Sequence, residues 1–247
     1  MDAFLKAHIE DLARRAETQN RFTFSDFLSP EEYGELSRMR QTIGPFDSFG
    51  GMENCERCIL RFGSPASLGY EEPFPIDCLK IMPKNEKFAE MLSHRDYLGA
   101  IMGLGVERKN VGDIIVRGKT AYVFVLSKLA DYFSENLTQI RKTDVVCTRC
   151  ESLPEGALYE TVALRLTVSS CRIDCVVAAV SRLSRSRSDA LFREKKVFLN
   201  SAVCEKPDTT LSPGDRFSIR GIGKFCFSDT LGSSKKGKNV IEILIYK

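Results

Sequence analysis

Two pairs of cysteines have the spacing of metal-binding thiolates. Cys55 and Cys58 form one CxxC pair, and Cys147 and Cys150 form the other. Four such thiolates can hold a zinc ion if the fold brings them together. The 88 residues between the pairs are far more than a zinc ribbon spans, however, and neither pair has a glycine-rich knuckle. We therefore expect reduced thiols and no metal, with a zinc-held interaction module as an alternative.

One short segment has an enzyme-like composition, His94-Arg95-Asp96. It resembles the catalytic loop of protein kinases, but no glycine-rich nucleotide loop or Asp-Phe-Gly accompanies it. It is partly similar to a catalytic loop of pseudouridine synthases, but the leucine between arginine and aspartate is missing. A helix start explains the segment better, with Ser93 as the cap and Asp96 at the third position. We expect no catalytic residue and no cofactor.

The carboxy-terminal third of the chain carries the residue types that bind phosphate. From residue 170 to the end there are 15 Lys and Arg against 8 Asp and Glu, whereas the remainder has a net charge of −4. An Arg/Ser run follows an apolar helical stripe, and its hydroxyls, including that of Ser188, could donate to phosphate oxygens. Such a basic end on a mildly acidic body predicts a polyanionic partner.

A strand should extend this basic surface, because Arg216 and Arg220 alternate with Phe217 and Ile219. A Gly/Ser-rich segment with three lysines follows, and we expect it to become ordered on binding. The predicted RNA-binding residues are Arg172, Arg182, Ser184, Arg185, Ser186, Arg187, Arg193, Lys195, Lys196, Asn200, Arg216, Arg220, Lys224, Lys235, Lys236 and Lys238.

The elements that position these residues predict an α+β fold in three domains. Residues 1–73 should form a mixed α/β domain, in which Ser29-Pro30 begins a helix. Residues 74–168 show the order β-α-β-β-α-β of a ferredoxin-like, RRM-like domain, with Leu158–Val168 as the closing strand. The RNP aromatic signature is absent from this segment. Residues 169–247 form the basic domain.

The composition is that of an ordinary globular protein, with 43% hydrophobic and 28% charged residues. No apolar run is long enough to span a membrane, and the amino terminus lacks the apolar block of a signal peptide. We expect a cytoplasmic protein that does not bind membranes.

Residues 172–227 resemble the S-four domain, or αL RNA-binding motif, which occurs in a ribosomal protein, tyrosyl-tRNA synthetases and many pseudouridine synthases. The matching residues are Arg172-Ile173-Asp174, Leu183-Ser184-Arg185-Ser186, Ala190, Val197, Leu199-Asn200 and Gly214-Asp215. Lys195 stands where this family usually has glycine, and Ser201 where glycine often follows asparagine. The resemblance implies RNA binding, and leaves open an RNA-modifying enzyme, similar to pseudouridine synthases, that uses this domain to deliver its substrate.

A narrower resemblance covers nearly the whole chain. The segments HRDYLGAIMGLGVERKNVGDIIV, GDRFSIRGIGKFCF and TLGSSKKGK are similar to the YlmH family of bacterial RNA-binding proteins. That resemblance implies binding to the large ribosomal subunit carrying peptidyl-tRNA, in ribosome-associated quality control. It implies contacts of the S-four domain with ribosomal RNA and tRNA. We expect a non-enzymatic monomer.

Overall fold

The computed structural model describes residues 2–53, 55–150, 161–200, 202–234 and 237–246. The chain forms two compact units, Met1–Leu158 and Tyr159–Lys247. Both contain helices and antiparallel sheets, so the fold is of the predicted α+β class. Among the described helices, none has the length and apolar character that crossing a bilayer requires.

The first unit begins with short elements around a small sheet. They are α1 (Ala3–Thr18), β1 (Thr23–Phe24), α2 (Pro30–Arg38), α3 (Arg40–Ile43), β2 (Asp47–Phe49), β3 (Ile59–Phe62) and α4 (Pro65–Leu68). Strands β1 and β2 flank β3, and Ile9, Leu12 and Leu36 from the helices pack with Leu60 and Phe62. The predicted start of α2 is confirmed: Ser29 Oγ accepts from Glu32 N at 3.3 Å, and Ser29 N donates to the Glu32 carboxylate at 2.7 Å.

The first unit continues with a larger sheet. Its elements are β4 (Ile76–Pro83), α5 (His94–Gly103), β5 (Val111–Arg117), β6 (Thr120–Leu126), α6 (Ala130–Asn136), β7 (Gln139–Ile140) and β8 (Thr143–Arg149), with 3-10 turns at Glu86–Phe88, Arg108–Asn110 and Ser127–Leu129. The strand order is β5-β6-β4-β8-β7. Helices α5 and α6 cover one face, where Tyr97 and Phe133 pack against Leu79 and Ile81.

The other face of this sheet is in contact with the amino-terminal segment. Gly51 lies so close to Phe124 that a Cβ atom there would be 2.2 Å from the ring, and a Cβ atom on Gly112 would be 2.6 Å from Phe27. The Asp113 carboxylate also accepts hydrogen bonds from the backbone N–H groups of residues 56 and 57, at 2.7 and 3.0 Å. The two parts of the first unit are thus tightly joined at β5 and β6.

The second unit is a six-stranded sheet with two helices. Its elements are β9 (Thr161–Val168), α7 (Ile173–Ser181), α8 (Arg185–Arg193), β10 (Val197–Leu199), β11 (Ala202–Val203), β12 (Arg216–Ile219), β13 (Gly223–Ser233) and β14 (Asn239–Tyr246), and the strand order is β11-β10-β12-β13-β14-β9. Ile173, Val176 and Phe192 from the helices pack against Phe217 and Phe225. The predicted apolar helix and the predicted strand around Phe217 are confirmed as α7 and β12, and Gly214 in the turn before β12 is in the left-handed region at φ +91°.

The predicted closing strand of the central domain is wrong. The strand at this place is β8, which pairs with β4 from Leu79↔Arg149 to Pro83↔Val145. Within the described part of 158–168, β9 pairs with β14 in the other unit along its whole length. An alternating apolar pattern predicts a half-buried strand but does not specify its sheet. The predicted boundary at residue 168 therefore lies inside the second unit, which begins at Tyr159.

Candidate nucleic-acid interface

The helix pair α7–α8 positions the central arginines of the predicted site. Helix α7 ends at Ser181, and Arg182 follows in the left-handed conformation at φ +54°, which turns the chain toward α8. Ser184 is the N-cap of α8, so Arg185 and Arg187 lie in its first turn. The Ser184 and Ser186 hydroxyls are 3.3 Å apart. The predicted Arg/Ser run is thus on a short loop and the start of a helix.

The arginines of this helix pair point their charge into solvent. Arg182, Arg185, Arg187 and Arg193 are exposed, and none makes an ion pair with another described residue. A guanidinium group remains protonated at any physiological pH. The four charges are therefore available to an anion outside the chain, and the open first turn of α8 adds backbone N–H groups to the same place.

Lys195 occupies the turn at the end of α8, where the resemblance to the S-four family implies glycine. Its φ is +53°, in the left-handed region that disfavours side chains. The backbone N–H groups of Lys195 and Lys196 donate to Phe192 O and Leu191 O at 3.0 and 2.9 Å, which closes the end of α8. The turn therefore forms with lysine, and the side chain adds an exposed positive charge beside Arg193.

Two predicted site residues, Arg172 and Lys196, form local ion pairs within the second unit. Arg172 donates to the Asp174 carboxylate at 2.7 and 3.2 Å. Lys196 pairs with Glu194 at 2.6 Å, and this hydrogen bond lowers the pKa of the Glu194 carboxyl below its ordinary value.

Asn200, at φ +47°, has a structural role of the same kind. Its amide donates to the Asp215 carboxylate at 2.8 Å and accepts from Arg216 N at 2.9 Å. This bridge joins the end of β10 to the start of β12, so the Asn200 side chain is already hydrogen-bonded within the fold.

The predicted strand surface is present on β12. Phe217 and Ile219 are buried, while Arg216 and Ser218 are half-buried and Arg220 is exposed. The Arg220 guanidinium lies 5.4 Å from the centre of the Phe198 ring on the neighbouring strand. Alternation therefore places these polar side chains on one face, as predicted.

The lysines beyond β12 lie on and after the long strand β13. Lys224 is exposed near its start, and Lys238 is exposed just before β14. Ser234 N donates to Lys238 O at 2.7 Å, and Lys238 N donates to Ser234 Oγ at 3.1 Å. Lys235 and Lys236 lie outside the described residues.

The expectation that Ser188 contributes a hydroxyl to this surface is wrong. Its side chain is 1% exposed on the inner side of α8, and its Oγ has no hydrogen-bond partner among the described residues. Ser184 and Ser186 are exposed, as predicted. Because an α-helix has 3.6 residues per turn, Ser188 lies on the inner face of α8 and not on its exposed face.

The four cysteines of the two CxxC pairs are buried or half-buried in the first unit. Cys147 packs in the core beneath α5 and α6, whereas the chain at Cys150 donates to Cys78 O on the neighbouring strand. Across the described ranges, no three His, Cys, Asp or Glu side chains are arranged to hold a metal ion. Burial also raises the pKa of Cys58 to about 12 and that of Cys147 to about 11.

The structural interpretation of His94-Arg95-Asp96 is confirmed. Helix α5 begins at His94, and the Asp96 carboxylate accepts from Ser93 N at 2.8 Å and Ser93 Oγ at 2.6 Å. Arg141 pairs with the same carboxylate at 3.2 Å. The hydrogen bonds from Ser93, with the charge of Arg141, lower the pKa of Asp96. This carboxylate is a helix cap, and the sequence offered no signal for its partner Arg141, which is 45 residues away.

Comparisons with known proteins show similarity to a family model, to a bacterial protein and to a solved structure. Residues 70–153 match the family model described as "Putative RNA-binding domain in YlmH". The chain is 31% identical over 227 residues to the ribosome-associated protein quality control protein P2 of Bacillus subtilis (strain 168), covering 91% of this chain and 88% of that protein. The solved structure of the cell division protein ylmH from Streptococcus pneumoniae is 21% identical, with a TM-score of 0.47 over 58% of this chain and 87% of that one. The chain belongs to the YlmH family of RNA-binding proteins.

Proposed function

We propose that this chain is a factor of ribosome-associated quality control that binds the large ribosomal subunit and peptidyl-tRNA. It contacts ribosomal RNA and tRNA mainly through phosphates and helix shape, as proteins commonly recognise folded RNA. The Bacillus subtilis relative is named for ribosome-associated protein quality control, which supports a role of this chain in that process. Because its proposed partner is the ribosome, we propose that the chain acts in the cytoplasm. We also propose that it acts as a monomer.

The single observation that carries this proposal is the set of exposed arginines on α7–α8. Arg182, Arg185 and Arg187 lie at the start of α8 and Arg193 lies at its end, and none of the four makes an ion pair with another described residue. Keeping the like charges at the start of α8 close together is unfavourable unless an anion binds there. An RNA backbone supplies such anions at regular intervals.

The architecture that we propose is the one implied by the family. The sheet order β5-β6-β4-β8-β7 with α5 and α6 on one face supports a ferredoxin-like, RRM-like module. The helix pair α7–α8 followed by β10 and β12 supports an S-four, or αL, module. We infer that the S-four module makes the contacts with ribosomal RNA and tRNA.

We also propose that the protein acts without catalysis. The enzyme-like segment of the sequence lies at the start of α5, where Asp96 is hydrogen-bonded to Ser93 and paired with Arg141. A carboxylate held in this way is poorly placed to act as a nucleophile or base. A variant Asp96→Asn that abolished cellular activity while keeping ribosome binding would contradict this part of the proposal.

The test is binding of the full chain to purified large subunits carrying peptidyl-tRNA, over a range of salt concentrations. Arg185→Ala with Arg187→Ala should weaken binding on the order of tenfold and reduce the slope of log affinity against log salt by about one to two. The matched control is Arg14→Ala with Arg15→Ala on α1, which removes the same charge from a helix where both arginines pair with Asp11. An unchanged slope for the first variant would contradict the proposal.

A further inference from the structure

Three turns meet at one end of the five-stranded sheet of the first unit. They are the segment between β4 and α5, the hairpin between β5 and β6, and the turn between β7 and β8. Lys84 N donates to Asp144 O at 2.9 Å, Glu90 N donates to Thr143 Oγ1 at 3.2 Å, and Lys119 Nζ donates to Glu86 O at 2.6 Å. We name this the turn surface and define it as residues 84–96, 117–119 and 141–144.

The turn surface is basic. It contains seven Lys and Arg against four Asp and Glu, and Asp96 is already paired with Arg141. The remaining cations that make no ion pair with a described residue are Lys84, Lys87, Arg95, Arg117, Lys119 and Lys142. The field at this end of the sheet is therefore suited to an anionic ligand.

Two large apolar side chains stand out from the same surface. Phe88 is 76% exposed and Met91 is 71% exposed. The backbone that carries them is braced, because Asn85 caps the 3-10 turn with a hydrogen bond from Lys87 N at 3.1 Å, and Leu92 is buried in the core. The Lys87 ammonium lies 5.7 Å from the centre of the Phe88 ring. An aromatic ring held in solvent beside lysines is typical of sites where bases of single-stranded nucleic acid stack.

The sheet face opposite α5 and α6 is a poorer candidate for RNA contact. Modules of this layout usually stack bases on that face, but here Phe27 and Gly51 lie directly against Gly112 and Phe124. The sheet face also lacks the RNP aromatic signature. An RNA contact of this module has to use its periphery, and the turn surface is the part that combines charge with an exposed ring.

We propose that the turn surface binds single-stranded RNA. Phe88 stacks on an unpaired base, and Lys84, Lys87 and Lys142 contact the neighbouring phosphates. This inference rests on the proposed function in that RNA is the ligand, and it adds a second contact on the other unit. An excess of positive charge around the apolar pair favours RNA over a protein partner.

The experiment measures fluorescence anisotropy of a short fluorescein-labelled oligouridylate with the full chain. Phe88→Ala should weaken binding about tenfold, because a stacked base contributes on that order. The matched control is Phe4→Ala, which removes an equally exposed ring, 84% accessible, from α1 and should leave the affinity unchanged. Lys87→Ala with Lys142→Ala should lower the salt slope by about one to two, whereas Lys6→Ala with Lys128→Ala should not.

The outcomes separate this inference from the proposed function. It is overturned if the unmodified chain does not bind oligouridylate, or if Phe88→Ala binds it within twofold of the unmodified chain. It is also overturned if Phe88→Ala weakens binding to the ribosome but not to oligouridylate, because that result indicates a contact with a protein. The proposed function is judged separately, by the effect of Arg185→Ala with Arg187→Ala on ribosome binding.

Discussion

The two units use arginine in opposite ways. In the first unit, Arg61 is only 8% exposed, lies between the rings of Phe22 and Phe74 at 5.1 and 5.0 Å, and pairs with Asp47 at 2.9 Å. Arg57 donates to Val111 O and Phe27 O at 3.1 and 3.0 Å. On α7–α8 of the second unit the arginines are exposed and without described ion-pair partners.

The difference shows that the groups around an arginine decide whether it stabilises the fold or remains available to bind a ligand. A guanidinium cannot easily lose its proton, so burial requires carbonyls, carboxylates or aromatic faces around it. Burial lowers the pKa of Arg57, and burial together with the charge of Arg57 lowers the pKa of Arg108 to about 10, which still leaves that group protonated at neutral pH. These arginines stabilise the first unit, whereas those of α7–α8 remain available to bind.

The largest expected effect on stability is at the buried arginine. Arg61→Ala should lower the free energy of unfolding by about 2–4 kcal/mol, because it removes two cation–π contacts and the partner of Asp47. Urea unfolding of the full chain measures this change. Arg187→Ala should stay within about 0.5 kcal/mol of the unmodified chain. Equal destabilisation by the two variants would break the comparison.

A second test concerns how tightly the two parts of the first unit are joined. Gly112→Ala should destabilise the chain by about 1–3 kcal/mol, because the new methyl group would meet Phe27 at 2.6 Å. Gly99→Ala is the matched control, since its Cβ meets nothing within 4 Å and it lies inside helix α5. It should stabilise by about 0.5–1 kcal/mol. A Gly112→Ala variant with an unchanged free energy of unfolding would show that Phe27 does not pack tightly against the sheet.

The smallest expected effect on stability is at Lys195, in the second unit. Lys195→Gly should stabilise by up to about 1 kcal/mol, because glycine adopts φ +53° without steric cost. The same change should slightly weaken ribosome binding, since one exposed charge is lost. Lys195→Ala provides the control, removing the charge without relieving the backbone. A Lys195→Gly variant less stable than Lys195→Ala would show that the turn is not strained.

Local patterns were sufficient for much of the second unit and for the helix starts. The apolar stripe of α7, the alternation along β12 and the Ser-Pro-Glu-Glu start of α2 are set by neighbouring residues, which the sequence displays directly. The exposed Arg185 and Arg187 followed from the same local reasoning. Ser188 did not, because a position four residues after the cap returns to the inner side of the helix.

Long-range pairing could not be read in this way. The strand pattern at Val162, Leu164 and Leu166 is clearer than that of β8, yet only β8 pairs with β4. The pairing of β8 with β4 brings the turn at Lys142 next to Lys84, and so forms the turn surface.

The sequence by itself therefore determined the helix starts, much of the second unit, the family and the position of the basic helix pair, because these depend on residues close together in the chain. Only the tertiary structure decided which sheet each strand joins, which arginines are buried and which rings remain in solvent. Those outcomes depend on contacts between distant residues, such as Arg141 with Asp96 and Phe27 with Gly112, whose partners no local pattern specifies.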